Sequence, residues 1–188
     1  MNPRPRLRQR RAPLAAAACA LALAACAPDY NWREIRPAGA GCLVMLPGKP
    51  ASMARPIDLD GLAVTMTMSG ARVGEHSFTV GAVVLPDAQP GTREKAVAAM
   101  RSAMVRNIGG RETEATEAAV PIVDPAGRTT ATQPGVRVEA SGQLGDRRLH
   151  LSALFVARGE RAWQAVVIGP GRDAANAQVF LESLRILD

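Results

Sequence analysis

VRVEASGQLGDRRLHLSALFVARGERAWQAVVIGPG, residues 136–171, is the stretch that decides the fold. Val136, Val138 and Ala140 alternate with polar residues until Gly145-Asp146 interrupts them. Leu149, Leu151, Ala153 and Phe155 then share one face. Gly159-Glu160 breaks the run again, and Trp163, Ala165 and Val167 alternate up to the stop at Gly169-Pro170-Gly171. Period two sends successive side chains to opposite faces, and short Gly-containing breaks close hairpins. The stretch predicts three strands in an antiparallel meander.

Working outward, the same period recurs earlier in the chain. Cys42-Leu43-Val44-Met45-Leu46 reads as a strand closed by Pro47-Gly48. Residues 52–58 read as another, turned by Asp60-Gly61. Val64, Met66 and Met68 alternate with Thr65 and Thr67, and Phe78, Val80, Ala82 and Val84 alternate likewise. From Thr92 to Ile108 the spacing changes to three and four (Val97, Met100, Met104, Ile108), which lines one face of a helix. Thr92 is the expected N-cap, Glu94 suits the first turn, and Gly109-Gly110 stops the helix. The charged alternation RETEATEAA at 111–119 is read as an edge strand running on to Val123, and residues 124–135 as a long loop. Asp173 caps a last helix that turns Ala177, Phe180, Leu181 and Leu184 inward. Residues 27–38 are polar and Pro-bearing, and read as a tether with Trp32 docked on the domain.

The expected class is α+β: a central antiparallel sheet of about six to eight strands covered by two main helices. In element order, in Leu46-Pro47-Gly48-Lys49-Pro50 after the first strand, and in Phe180-Leu181 followed by Leu184, residues 40–187 resemble the PsbP-like family. That resemblance implies an α/β/α sandwich and a binding or assembly role. No metal or partner residue can be carried over from it, because no matching motif is present.

The N-terminus carries a different message. Arg4, Arg6, Arg8, Arg10 and Arg11 precede an unbroken apolar run, Leu14–Ala25, with no acid before it. The run is too short to span a bilayer as a helix and has the layout of a secretory signal. Leu23-Ala24-Ala25-Cys26 resembles the lipobox of bacterial lipoproteins. The resemblance implies cleavage before Cys26, a thioether-linked diacylglycerol on its sulfur and acylation of the new amine, giving a multi-chain anchor. Ala27 rather than Asp follows, which in that family's sorting rule implies the outer membrane, facing the periplasm. The expected organisation is a signal peptide at 1–25, a lipidated N-terminus and tether at 26–39, and a single domain at 40–188.

Composition narrows the function. Five of the 23 Lys plus Arg lie in the signal, leaving 18 against 17 acids, a mature net charge near +1. With 3% aromatic residues and no basic stripe, nothing favours nucleic acid. Cys19 leaves with the signal and Cys26 takes lipid, so Cys42 stands alone and no internal disulfide is available. The chemistry-bearing candidates are Cys42, His76 and His150, with no spacing that pairs them for zinc. Asp58-Leu59-Asp60-Gly61 lacks the remaining oxygen ligands of a calcium loop and reads as a turn. Gly169-Pro170-Gly171-Arg172 before a helix could hold an anion, but Asp173 at the cap opposes it. Met66, Met68, Met100 and Met104 read as core. The expectation is a non-enzymatic, membrane-tethered binding or assembly module with no metal and no cofactor, whose partner is a protein or a periplasmic ligand. The alternatives are a thiol hydrolase using Cys42 and a histidine, or an apolar-ligand carrier between sheet and helix.

Overall fold

The computed structural model describes residues 29–188. The chain forms β1 (Arg33–Ile35), β2 (Cys42–Leu46), β3 (Ala51–Asp58), β4 (Ala63–Val73) and β5 (His76–Val84), then helix α1 (Pro90–Asn107). It continues through β6 (Gly110–Val123), β7 (Thr129–Leu144), β8 (Arg147–Arg158) and β9 (Arg161–Gly169) to helix α2 (Ala174–Glu182) and β10 (Arg185–Leu187). All ten strands join one sheet in the order β1-β2-β10-β6-β7-β8-β9-β5-β4-β3. Every pairing is antiparallel except that of β10 with β6.

The meander at 136–171 forms as its period requires. Val138, Ala140, Leu151, Ala153, Phe155 and Ala162 face α1, with Ala96 and Met100 of that helix in the same apolar cluster. Leu154, Val156, Trp163, Ala165 and Val167 face the other way, onto Ala177, Phe180 and Leu181 of α2. The central strands are therefore buried on both faces, and polar positions on the second face are interior too.

The expectation of six to eight strands covered by two helices is overturned. Strands make up 56% of the described residues and helix 17%, in a ten-stranded sheet curled into a half-barrel. Helix α1 packs on β6–β9, and the nine-residue α2 packs on β2, β8 and β9. Much of the cover comes from the sheet itself, because its β1–β2 edge curls over the second face. Trp32 and Tyr30, just before β1, pack on Phe78 of β5. The expected tether at 27–38 thus contains β1 and the two aromatic residues ahead of it. The expected loop at 124–135 is a tight turn at Asp124–Arg128, after which β7 begins at Thr129. A carboxylate that accepts from the Ala126 and Arg128 N–H groups holds that turn.

Helix α1 also starts differently. Pro90 occupies its first turn behind Gln89, which gives no side-chain cap, and no acid lies in that turn. Pro lacks the N–H that a cap would have satisfied, so the start needs no Thr92 hydroxyl. Helix α2 ends at Glu182, so Leu184 packs from the segment that leads into β10. Asp173 does cap α2, accepting from the Asn176 N–H.

Candidate functional site

Leu23, Ala24, Ala25 and Cys26 lie outside the described residues. Cys42 is fully buried in β2, and burial pushes its thiol up to about 12. The histidines are engaged elsewhere. His76 Nε2 lies 3.2 Å from the Gly171 carbonyl oxygen, and its ring packs so closely on Gly169 that no Cβ would fit there. His150 bonds to Glu139. The fold does not bring the three together. Asp58 accepts from the Gly61 N–H at 2.6 Å, a local turn bond. Among the described residues no group of three His, Cys, Asp or Glu side chains converges as a metal site.

A polar cluster that the sequence reading missed lies on the α2 face of β7 and β8. Glu139 is buried, and its Oε2 accepts from Ser152 Oγ at 2.7 Å and lies 2.8 Å from His150 Nε2. The guanidinium groups of Arg137 and Arg172 each stand 3.8 Å from the carboxylate. Ser, His and Glu match a proton relay in composition but not in geometry. Serine and histidine both bond the same carboxylate oxygen, so the histidine is not placed to take the serine proton. The cluster satisfies a buried charge. Glu139 alternates with Val138 and Ala140, and alternation alone does not mark a polar position as buried.

The more open chemistry lies beside β6. This strand pairs with β7 along its length, but on its other side β10 reaches only Ile122 and Val123. From Arg111 to Pro121 no strand pairs with that side among the described residues. Residues 113–117 of this stretch are exposed. A groove of about 550 Å³ opens on the α1 face, lined by Pro90, Val97, Pro134, Val136, Phe155 and Ala157. A second, of about 480 Å³, opens on the α2 face beside Ala118, Val120, Leu154, Leu181 and Leu184. Glu117 borders both. No helix among the described residues is long and apolar enough to cross a membrane.

No protein-family model matches the chain, and no characterised protein matches it. Among solved structures it is similar to a Pseudomonas aeruginosa protein of unknown function, at 13% identity and a TM-score of 0.38. The match covers 79% of this chain and 89% of that one.

Proposed function

We propose that this chain is a non-enzymatic bacterial envelope lipoprotein, held by acyl chains on Cys26 at the periplasmic side of the outer membrane. Its folded body would bind an extended segment of a partner protein along the open side of β6. The anchor is supported by the basic stretch, apolar run and Leu23-Ala24-Ala25-Cys26 of the N-terminus. The binding mode is supported by one observation: a strand side unpaired from Arg111 to Pro121, with a groove along its α2 face at Thr116–Pro121. Unpaired N–H and C=O groups offer main-chain hydrogen bonds to an added strand. The groove on the α2 face would receive the side chains on one face of that strand. Glu114 and Glu117 favour basic residues in that segment.

Two measurements test this. Mass spectrometry of the mature N-terminus is expected to find Cys26 as the first residue, bearing a thioether-linked diacylglycerol; an unmodified sulfur sinks the anchor. A photo-crosslinking residue in place of Ala119, on β6, is expected to give one discrete heterologous adduct in living cells, lost on Glu117→Lys. The same probe in place of exposed Val179, on α2, should give none. Equal adducts from both positions, or none from Ala119, refute the binding edge.

A further inference from the structure

We propose that the end of the sheet from which the N-terminal segment departs is a membrane-contact surface that takes acidic phospholipid headgroups. This rests on the anchoring of Cys26 put forward above. The fold holds the chain tightly from Tyr30 onward: the Tyr30 hydroxyl donates to Asp173 Oδ2 at 2.6 Å and the Asn31 N–H to the Pro47 carbonyl at 2.9 Å. Four residue steps separate Cys26 from Tyr30, a reach of at most about 14 Å. Lipid on Cys26 therefore presses this end of the body against the headgroups.

The strand register shows what else lies there. β4 turns into β5 at Val73–His76, and Arg147, the first residue of β8, bridges to Glu75 of that hairpin at 3.3 Å. β9 ends at Gly169, level with His150 near the start of β8, and leads through Arg172 into α2. β6 begins at Gly110, opposite Gly142 near the end of β7. These segments carry five exposed arginines, Arg72, Arg111, Arg147, Arg148 and Arg172. Against them stand Asp29, Glu75, Asp146, Asp173 and, beside Arg172, the buried Glu139. Glu75 takes Arg147 and Glu139 takes Arg172, so among the described residues the arginines this end leaves without an ion-pair partner are Arg72, Arg111 and Arg148.

Two features turn the unpaired arginines into a headgroup seat. A concavity of about 550 Å³ has Gly109, Gly110 and Gly142 among its lining, with Arg111 and Arg148 beside them. Neither arginine is ion-paired among the described residues, which leaves both guanidinium forks for a phosphate. Next to it Leu144, 60% exposed, projects from the tip of the β7–β8 hairpin. An apolar tip ringed by arginines suits the boundary between headgroups and acyl chains.

The test uses the mature chain in two forms. Lipidated protein in nanodiscs carries an environment-sensitive dye on Leu144→Cys; the dye is expected to shift to the blue when phosphatidylglycerol is included and not with phosphatidylcholine alone. Unlipidated Cys26→Ser protein is expected to sediment with phosphatidylglycerol vesicles at low salt. At about fivefold per arginine near an acidic surface, Arg111→Ser with Arg148→Ser should weaken that partition about 25-fold. Circular dichroism checks that the variant is folded, and Leu144→Asp gives a second, independent loss. Equal partition to both vesicle types, or no loss on removing the two arginines, overturns the surface. So does full displacement by millimolar inorganic phosphate, which marks a free-anion site instead. An unmodified Cys26 sulfur would defeat the anchor while leaving the vesicle result to stand or fall by itself.

Discussion

Replacing Trp32 by Ala should destabilise the whole domain, although Trp32 stands ahead of the first strand in a stretch that reads as linker. The indole stacks on Tyr30 with ring centroids 5.8 Å apart and meets Phe78 edge-on at 5.8 Å. Phe78 in turn meets Phe180 of α2 edge-on at 5.6 Å. Each such pair contributes about 0.5–1.5 kcal/mol beyond area burial. Half-burying an indole adds about 2 kcal/mol at 25 cal/mol per Å², an upper figure because the unfolded chain is already partly compact. The expected loss is about 2–4 kcal/mol, a large share of a stability of about 5–15 kcal/mol.

Urea unfolding followed by far-UV circular dichroism measures it, and Trp163 remains as the sole indole reporter. A double-mutant cycle with Phe78→Leu should give a coupling of about 0.5–1.5 kcal/mol. Hydrogen exchange of the Asn31 amide, bonded to Pro47, should accelerate more than that of the meander if the segment also opens locally. A change within about 0.5 kcal/mol, the ordinary size for a surface residue, together with zero coupling would refute the docked N-terminus.

Four further outcomes follow from individual side chains. Glu139→Ala should cost about 3 kcal/mol, because His150 and Ser152 lose their hydrogen-bond partner and two nearby guanidinium groups lose a counter-charge; Glu139→Gln should cost clearly less in the same urea titration. Burial first, and then its bond to Asp173, push the phenol of Tyr30 up to about 12. Tyr30 is the only tyrosine, so phenolate absorbance should titrate there in the folded protein and near 10 once unfolded. The stability linked to this shift is fully present below about pH 10 and falls as pH rises toward 12, and Asp173→Asn should lower the folded midpoint part of the way. The Cys42 thiol should resist iodoacetamide at pH 8.5 until denaturant is added; rapid alkylation of the native protein would contradict its burial. Gln164→Leu should be neutral or stabilising by up to about 1 kcal/mol in thermal unfolding. Among the described residues its buried Oε1 has no partner, and its Nε2 reaches only the Met66 and Met104 sulfurs at 3.8 and 3.7 Å.

Local order was legible wherever period and punctuation agreed. The meander, the hairpins at Asp60-Gly61, Gly145-Asp146 and Gly159-Glu160, and the three-and-four spacing of α1 all form in place. The strand total was not, because the missing strands carry no period of their own. β1 and β10 are three residues each, too short to alternate, and exist because β2 and β6 offer them main-chain partners. Thr129–Gly135 looked like a loop because its side chains are small, polar and exposed; what makes it a strand is pairing with both β6 and, at Gly135, β8. The Glu139 cluster was hidden for a related reason. Alternation reports that one face is apolar, but not that the polar face is covered. Only the tertiary structure shows that Glu139 and Ser152 are interior.

The proposed anchor and binding edge impose opposite demands on the body, and the strand directions meet both. β6 leaves the Arg111–Arg148 end at Gly110 and runs away from it to Val123, while α1 runs the other way, from Pro90 to Asn107. The groove on the α1 face uses the first half of α1 and residues 155–157 at the far end of β8, so it lies remote from the Arg111–Arg148 concavity. With the Arg111–Arg148 end against headgroups, as proposed, the open side of β6 would rise from the membrane toward the aqueous space. Had the N-terminal segment left the sheet at the Val123 end, the same lipid would have pressed the open strand into the bilayer surface and closed it to a partner. The bond from Tyr30 to Asp173 is what fixes the exit at the other end, so its rupture should loosen the orientation of the anchored domain while leaving the grooves themselves intact.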